Sequence, residues 1–181
     1  TPAMSADFPA GFFETVPTGR AGAAGLDDAA VAAMRDLYGD LGIDGRVLDL
    51  CGAGLDQFDV PPDELVVFDG DPNEPLSYGD DAFDDILCTG GVGTFTRPRD
   101  TFADVARVLR PGGRFVCTFT TQIFTDAAVR GWVATDDAGR VRIVRAYFSL
   151  APAFGAAESD LRTSLSGTGD RLWAVWAAKR R

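Results

Sequence analysis

The stretch FADVARVLRPGGRFVCTF, Phe102 to Phe119, carries the signals of a helix, a turn and a strand in immediate succession. The predicted helix lies within residues 99–113. Apolar residues recur there at helical spacing on one face: Phe102, Val105, Val108 and Leu109. Pro111 and the two glycines after it end the predicted helix and turn the chain. The apolar run RFVCTF, residues 114–119, then predicts a buried strand. A helix that leads back into a strand is the repeating unit of an α/β fold.

Helical and strand-like segments alternate on both sides of this stretch. Before it, a predicted helix at 26–42 is followed by strands at 46–50, 64–69 and 84–91. After it come a short helix at 126–133, a longer helix at 139–150, and strands at 158–165 and 170–178. The linker SGTGD joins the last two strands and is typical of a hairpin. We therefore expect an α/β fold whose mainly parallel sheet ends in an antiparallel hairpin.

Length and charge limit the organisation and the partners of the protein. The 181 residues fit a single domain at 26–181, preceded by an N-terminal extension at 1–25. The net charge of −10 disfavours binding to nucleic-acid phosphates and to anionic lipids, so we expect a small-molecule or protein partner. The sequence shows neither an apolar run that could span a bilayer nor a secretion signal, which predicts a cytoplasmic protein.

Histidine, lysine and cysteine usage narrows the chemistry. The chain has no histidine, which excludes a histidine base and a histidine metal ligand, and its one lysine, Lys179, argues against a buried Schiff-base lysine. The cysteines Cys51, Cys88 and Cys117 are odd in number and widely spaced, as is usual in a reducing compartment. Each lies in or just after an apolar strand-like run, so we interpret all three as small core residues.

Three motifs resemble those of class I S-adenosylmethionine (SAM) dependent methyltransferases. VLDL at 47–50, with the glycine-containing loop after it, is similar to their first, cofactor-binding motif. DDAFDDILCTGGVGTFTRP at 80–98 is similar to their fourth-strand motif, and the stretch from Phe102 to Phe119 is similar to the segment that precedes the acceptor region. The resemblance implies a Rossmann-like fold with SAM as cofactor. It implies the following cofactor-binding residues: Asp49, Cys51, Gly52, Gly54, Asp69, Thr89 and Gly90.

Most of the chain from Leu26 onward also resembles one small branch of this superfamily, found in actinomycetes and related organisms. FTDAAVRGWVATDDAGRVRIVRAYF at 124–148 belongs to this resemblance. In that branch, VVFDGDPNEPLSYGDDAFD at 66–84 corresponds to the third strand of the fold. The branch implies no particular substrate.

The loop after the first motif departs from the superfamily pattern. Where the pattern has glycines, this chain has Cys51, Ala53 and Leu55. Its own glycines, Gly52 and Gly54, are each displaced by one residue. A loop shortened by one residue would return them to places where backbone approaches a ligand closely, and an ordinary turn is the alternative.

One strand–helix unit is missing relative to the usual fold. The connection 51–64 contains Pro61 and Pro62, which leave room for a helical turn or two at most. No helical stripe occurs between Asp69 and Phe83 either. The missing unit would normally supply the acid that hydrogen-bonds the ribose of the cofactor. Asp69 takes this role if its strand lies beside the first strand, and it lies nearer the adenine if its strand keeps the third place.

The sequence identifies no certain catalytic group. Methyl transfer from a sulfonium depends mainly on positioning, and a base is needed only when the acceptor must lose a proton. Asp126 and Tyr147 are the candidates for such a base, with helix capping as the alternative for Asp126. The acceptor is expected near 90–96 and 120–132. Four aromatic residues there would line a pocket or pack in the core: Phe95, Phe119, Phe124 and Trp132. Arg97 and Arg99 would bind an anion or lie on the surface.

An acidic loop has the spacing of a calcium-binding loop without its other features. The oxygen-bearing residues are Asp69, Asp71, Asn73 and Asp80. Glu74 stands where such a loop needs glycine, and Asp80 replaces the long bidentate glutamate. We predict a solvated acidic loop and no metal site.

Two functions agree with these observations. The first is a SAM-dependent methyltransferase that acts on an unknown small molecule. The second is a protein of this fold that has lost SAM binding and serves as a cyclase- or isomerase-type enzyme or as a ligand- or partner-binding protein. An NAD-binding protein is disfavoured, because Gln57 occupies the third glycine position of the dinucleotide motif. The strand LWAVW at 172–176 would offer an edge to a second chain, so a homodimer is one arrangement that the sequence allows.

Overall fold

The computed structural model describes residues 8–19, 25–52 and 54–181. Its strands are β1 (Thr15–Pro17), β2 (Arg46–Asp49), β3 (Glu64–Val67), β4 (Phe83–Thr89), β5 (Leu109–Thr120), β6 (Ala127–Val129), β7 (Glu158–Leu161) and β8 (Leu172–Ala178). Its α-helices are α1 (Asp28–Leu41), α2 (Pro98–Val108), α3 (Arg130–Val133) and α4 (Asp137–Ser149), and short 3-10 turns lie at Leu55–Gln57 and Val92–Thr94. None of the helices in these ranges has the length and apolar composition that crossing a membrane requires.

Six strands form the central sheet in the spatial order β3-β2-β4-β5-β8-β7. The first four are parallel, whereas β8 runs antiparallel to both of its neighbours, β5 and β7. The predicted α/β fold, with a mainly parallel sheet and a C-terminal antiparallel hairpin, is therefore confirmed. The strand that contains LWAVW lies between two others, so the expectation that it offers a free edge to a second chain is wrong.

Side chains of the strands alternate between two hydrophobic cores, one on each face of the sheet. In β4, Ile86 and Cys88 belong to one core and Leu87 to the other. Helix α1 covers the face of Leu87, while α2 and α4 cover the opposite face. Cys88 and Cys117 are fully buried, as expected of core residues, but Cys51 is only partly buried.

Helix α1 begins and ends where its sequence predicts. The Asp27 carboxylate accepts a hydrogen bond from the backbone N–H of Ala30 (2.8 Å) and caps the first turn. Gly42 ends the helix in the left-handed conformation, with φ of 65°. The chain then enters β2 directly, which sets the carboxyl end of this strand beside the N-terminal half of α1.

The region between β2 and β4 lacks one strand–helix unit of the usual fold, as expected. The described residues of the β2–β3 connection hold only the 3-10 turn Leu55–Gln57, and those between β3 and β4 hold no helix. Strand β3 pairs directly with β2, with Leu65 opposite Val47. The sequence left two places open for the strand before Asp69. In the structure this strand is β3, and it lies beside β2, which carries the first motif.

The segment 126–133 does not form the single helix that we expected. Ala127–Val129 is strand β6, which pairs antiparallel with β1, and only Arg130–Val133 is helical. The alanine-rich sequence favours a helix, but this weak local preference is overridden by backbone pairing with a distant segment. Asp126 therefore precedes a strand, and its predicted role as a helix cap is wrong.

Pro111 does not end α2 as predicted, because the helix already stops at Val108. The chain enters β5 at Leu109 and bulges away from β4 before regular pairing resumes. Gly113 lies in this bulge against the carbonyl oxygen of Asp84, where a Cβ would overlap that oxygen. Gly113 thus allows the close approach of two strands rather than marking a helix end.

The described part of the N-terminal extension packs against the domain. Phe8, Phe12 and Phe13 form an aromatic cluster that contacts Tyr147 of α4. The Phe12 ring occupies the space beside Gly131, where a Cβ would overlap it. These contacts and the β1–β6 pairing fix residues 8–19 beside the segment that follows β5.

Candidate functional site

Asp49, the last residue of β2, organises the loop that follows it. Its carboxylate is fully buried and accepts backbone hydrogen bonds from Cys51 (3.3 Å), Gly52 (3.0 Å) and Gly54 (2.7 Å). A further bond comes from the side-chain amide of Gln57 (3.2 Å). Since a carboxylate offers about four acceptor positions, the chain itself saturates Asp49. Asp49 therefore positions the loop and has no acceptor left for a ligand.

The backbone of this loop requires its displaced glycines. Gly52 and Gly54 both have φ of 74°, in the left-handed region. This conformation costs about 1–2 kcal/mol for a residue that carries a Cβ. It turns the N–H groups of both glycines inward, toward the Asp49 carboxylate. The displacement thus keeps glycine at two positions where this loop needs it.

Gln57 links the loop to the end of β4. Its amide nitrogen also donates to the carbonyl of Gly54 (2.9 Å), and its amide oxygen accepts from the hydroxyl of Thr89 (3.0 Å). The Tyr38 hydroxyl of α1 lies 3.4 Å from the same Thr89 oxygen, and burial raises the pKa of Tyr38. Because Gln57 is only 1% exposed, this network is shielded from water and fixes the loop, β4 and α1 relative to one another.

A cavity of about 510 Å³ opens where β2 and β4 end. We call it the strand-end cavity, and its walls are Gly25, Leu26, Val31, Met34, Cys51, Asp56, Gln57, Thr89, Gly90, Gly91, Phe124 and Thr125. Ligands of open α/β sheets bind outside the carboxyl ends of the strands, where this cavity lies. Its volume and its mixture of apolar walls with a few polar groups are typical of small-molecule sites.

The family model described as a methyltransferase domain matches residues 34–117, which include β2, the loop, β3, β4, α2 and most of β5. Over these residues, just under half of the chain, the sequence is similar to a methyltransferase domain. No curated protein matches the chain in sequence.

Solved structures share this fold at low sequence identity. A Burkholderia thailandensis 1,6-didemethyltoxoflavin N1-methyltransferase, with bound 1,6-didemethyltoxoflavin and S-adenosylhomocysteine, is 19% identical with a TM-score of 0.56, covering 86% of this chain and 80% of its own. A SAM-dependent methyltransferase from Aquifex aeolicus is 12% identical with a TM-score of 0.59, covering 83% and 93%. The 4+2 cyclase SpnF is 16% identical with a TM-score of 0.57, covering 88% and 85%. These similarities show a common fold, which is found in methyltransferases and in a cyclase.

The methyltransferase fold brings some of the predicted cofactor residues together and leaves one apart. Three of them line the strand-end cavity: Cys51, Thr89 and Gly90. Three others form the loop that carries Cys51: Asp49, Gly52 and Gly54. Asp69 is exposed just after β3 and lies outside the lining of the cavity.

Several wall residues were not identified from the sequence. Val31 and Met34 lie in the helix predicted at 26–42, and the structure shows that they line the cavity. Helical periodicity shows that a face is buried and does not show whether a core or a ligand covers it. The sequence used Gln57 only as an argument against a dinucleotide motif. Its place shortly after Asp49 at the strand end could have indicated that it bonds the Asp49 carboxylate.

A second cavity of about 690 Å³ lies next to the first and is called the hairpin cavity here, because the β7–β8 loop forms one wall. Thr121 and Gln122 line it, while Phe124 and Thr125 of the same segment line the strand-end cavity. Its remaining walls are Thr135, Asp136, Asp137, Ala138, Arg140, Gly167, Gly169, Asp170, Arg171 and Trp173. The segment 121–125 thus contributes to both cavities.

Arg140 holds the segment between the two cavities in place. It is 5% exposed, and its guanidinium donates to the carbonyls of Thr121 (2.8 Å) and Trp132 (3.2 Å). The guanidinium also lies over the Trp132 ring, 5.2 Å from its centre. Burial lowers the pKa of Arg140, and the nearby carboxylates of Asp136 and Asp137 oppose this shift.

Neither candidate base lines the strand-end cavity or the hairpin cavity. Asp126 is exposed, and its carbonyl accepts a hydrogen bond from the backbone N–H of Thr18 (2.9 Å). Tyr147 is fully buried beneath Phe8 and Phe13, and burial raises the pKa of its phenol. The Tyr147 hydroxyl has no hydrogen-bond partner among the described residues. Neither position gives contact with a ligand in the two cavities.

The other predicted pocket residues divide between cavity, core and surface. Phe124 lines the strand-end cavity. Three aromatic residues are at most 4% exposed and pack in the core: Phe95, Phe119 and Trp132. Arg97 and Arg99 are exposed, and Arg97 donates to the carbonyl of Asn73 (2.9 Å).

The acidic loop at 69–80 is fastened to the chain through Asn73. The amide oxygen of Asn73 accepts from the backbone N–H of Thr96 (2.8 Å), and its nitrogen donates to the carbonyl of Thr94 (3.1 Å). Asp71 accepts from the backbone N–H of Asn73 (2.9 Å). In the part of the chain that the structure describes, no three or more histidine, cysteine or carboxylate side chains are grouped to hold a metal ion.

Proposed function

We propose that the chain is a methyltransferase that binds SAM in the strand-end cavity and methylates a small molecule held in the hairpin cavity. The observation that carries this proposal is the strand-end cavity itself, walled by the loop that Asp49 holds. Its place at the carboxyl ends of β2 and β4 is where this fold binds ligands. The neighbouring hairpin cavity offers room for an acceptor beside it.

The residues of the strand-end cavity fit SAM. Leu26, Val31 and Met34 provide an apolar wall for the adenine base of SAM, and Phe124 of segment 121–125 adds a further apolar group. Asp56 places a carboxylate in the wall, which favours the positive charges of a sulfonium and an ammonium. SAM supplies an electrophilic methyl group when it is bound. The chain would bind the cofactor, orient it toward segment 121–125 and exclude water, contributions that can lower a barrier by several kcal/mol.

The contribution of Asp69 belongs to this proposal. Its strand lies beside β2, so its carboxylate is at the sheet edge where the ribose of the cofactor would lie. Asp69 is outside the lining of the cavity, so we propose that it contacts the rim of the bound cofactor. Asp69→Ala should then weaken SAM binding about tenfold, or 1.4 kcal/mol.

A second function is favoured by the short β2–β3 connection. The connection holds no α-helix in its described residues, which removes surface that could cover the cofactor. The chain would then use the fold as a cyclase- or isomerase-type enzyme or as a ligand- or partner-binding protein. The similar fold of a 4+2 cyclase illustrates this alternative.

Calorimetric titration of the purified chain with SAM and with S-adenosylhomocysteine separates the two functions. We expect a Kd in the micromolar range, about −8 kcal/mol. Gly52→Val should raise the Kd at least tenfold, because a side chain at φ of 74° disrupts the loop held by Asp49. Absence of binding by the unaltered chain would contradict the methyltransferase proposal and favour the second function.

Gly42→Val is the matched control for this experiment. Gly42 also has a positive φ, 65°, and open space around its Cα. It lies before the amino end of β2, whereas the cavity lies at the carboxyl end of this strand. Both variants should lose similar stability, and only Gly52→Val should lose affinity. Equal losses of affinity would mean that the loop has no specific part in binding.

The cytoplasmic location, the absence of nucleic-acid partners and a homodimeric state stay predictions from the sequence. The acidic net charge of −10 supports the second. A homodimer would need a surface other than β8.

A further inference from the structure

Cys51 and Cys88 bring two thiols together at the wall of the strand-end cavity. Their sulfur atoms lie 2.7 Å apart, and both residues are free cysteines. A disulfide bond is about 2.05 Å long, so a small movement of one side chain would bring the sulfurs to bonding distance. The pairing of neighbouring strands holds them there, since the backbone N–H of Leu50 donates to the carbonyl of Leu87 (2.8 Å).

Gly91 provides the space that this sulfur pair occupies. A Cβ at Gly91 would overlap the sulfur of Cys51 and lie 3.4 Å from the sulfur of Cys88. The φ of Gly91 is −102°, which other residues adopt without strain. Glycine is therefore needed at this position for space, and the space is filled by the two thiols.

The two thiols differ in access from the cavity. Cys51 is partly exposed and lines the strand-end cavity, whereas Cys88 is fully buried behind it. Burial raises the pKa of Cys88, which keeps it protonated. Cys117 pairs opposite Cys88 on β5 and is also fully buried. An oxidant that enters the cavity therefore meets Cys51 first, with Cys88 in place as the resolving thiol.

We propose that Cys51 and Cys88 form a redox-active pair that closes to a disulfide when a peroxide enters the strand-end cavity. The Cys51 thiolate attacks one peroxide oxygen, the O–O bond breaks, and Cys51 becomes a sulfenic acid with release of water after protonation. The Cys88 sulfur then displaces the sulfenic hydroxyl, which leaves as a second water with the Cys88 proton. Overall, two thiols and one hydrogen peroxide give one disulfide and two waters. The reaction itself does not require methyl transfer.

The test is oxidation of the reduced chain with hydrogen peroxide, followed by thiol titration under denaturing conditions. The three thiols of the chain should fall to one, with a mass loss of two hydrogen atoms and a cross-linked peptide containing Cys51 and Cys88. Cys117→Ser is the matched control, because it removes the neighbouring thiol and should still form the bridge. Cys51→Ser and Cys88→Ser should form none.

Three outcomes would overturn the proposal: a bridge between Cys88 and Cys117, a Cys51 sulfenic or sulfinic acid beside a reduced Cys88, or three thiols left unchanged. The peptide map of the unaltered chain decides among these even if the buried Cys88→Ser variant fails to fold. Cys51→Ser, at a partly exposed position, gives the second reading.

A consequence that rests on the proposed function can be measured in the same assay. SAM bound in the strand-end cavity would cover Cys51, so saturating SAM should slow bridge formation at least tenfold. Bridge formation at an equal rate with SAM bound would contradict the placement of SAM and still support the thiol pair. Failure of the bridge without SAM would contradict the thiol pair alone.

Discussion

Thr89 and Thr118 face each other on β4 and β5, yet their hydroxyl groups are used differently. Thr89 donates to the amide oxygen of Gln57 (3.0 Å) and so joins the network that positions the Asp49 loop. The buried Thr118 hydroxyl has no hydrogen-bond partner among the described residues. One position of the pair thus serves the candidate site, and its neighbour is buried close to the Tyr38 phenol without a hydrogen bond of ordinary geometry.

Thr89→Val should lower the free energy of unfolding by about 1–3 kcal/mol, because it leaves the buried Gln57 oxygen without a donor. Thr118→Val should leave it unchanged or raise it slightly, because valine has the same shape and no hydroxyl to desolvate. Urea denaturation of both variants checks this difference. Equal losses would mean that the Gln57 bond adds nothing to stability.

The Asp49 carboxylate holds the loop after β2 from within. The bond between Gln57 and Thr89 joins the loop to β4, and Arg35 of α1 donates to the carbonyl of Asp56 (2.8 Å). The sequence singled out Asp49, Gly52 and Gly54 and assigned them to cofactor contact. The structure instead gives the Asp49 carboxylate a complete set of bonds within the chain. The number of donors around a buried carboxylate becomes known only when the loop is folded, because motif spacing does not show which N–H groups turn inward.

At the scale of elements, α1 is fastened at its N-terminus by one carboxylate. Asp27 accepts from the N–H of Ala30 (2.8 Å) within the helix and from the N–H of Asp170 (2.8 Å) in the β7–β8 loop. These bonds hold the pKa of Asp27 below its ordinary value, and the bond from Asp170 has the largest effect. The same residue therefore joins the helix to the loop that walls the hairpin cavity.

Asp27→Ala should cost about 1 kcal/mol at neutral pH, the usual value of a helix cap. A lowered folded-state pKa stabilises the protein above the unfolded pKa and loses this effect as pH falls through the folded value. The difference between the native chain and the variant should therefore shrink below about pH 4. Chemical denaturation across pH measures it, and a difference that grows on acidification would contradict the assignment.

Asp136→Ala is the matched control for α4, whose cap accepts from the N–H of Gly139 (2.8 Å). Hydrogen exchange at 163–171 should accelerate in Asp27→Ala and stay unchanged in Asp136→Ala, because only Asp27 bonds the β7–β8 loop through Asp170. Equal exchange in both variants would mean that Asp27 acts as a helix cap alone.

Elements differed in how well the sequence predicted them. Helix α1 was predicted at 26–42 and lies at Asp28–Leu41, because its ends depend on local features, the capping Asp27 and the left-handed Gly42. Strand β6 was predicted as helix, because its pairing with β1 joins residues more than 100 positions apart. Local preference is a weak term that such long-range pairing outweighs.

At the scale of the whole molecule, the net charge of −10 sets a field that attracts cations. SAM carries one positive charge more than S-adenosylhomocysteine, because its sulfur is a sulfonium. Raising the salt concentration from about 0.05 to 0.5 M shortens the screening length severalfold and weakens such attraction. The two ligands are otherwise nearly alike, so each is a control for the other.

We expect this increase in salt to raise the Kd of SAM about threefold more than that of S-adenosylhomocysteine, equivalent to about 0.6 kcal/mol. Calorimetry at the two salt concentrations measures both values. An equal effect on the two ligands would mean that the charge of the protein has no part in selecting the cofactor.

The sequence by itself determined the alternation of helices and strands from α1 to β5 and the mainly parallel sheet with its terminal hairpin. These features follow from periodicity and motifs that lie within short segments. Only the tertiary structure decided that β3 lies beside β2, that Asp49 is saturated and that Cys51 meets Cys88. Each of these depends on which distant segments come to share a sheet edge or a buried space. Such contacts are settled by packing and backbone pairing, which no short stretch of sequence specifies alone.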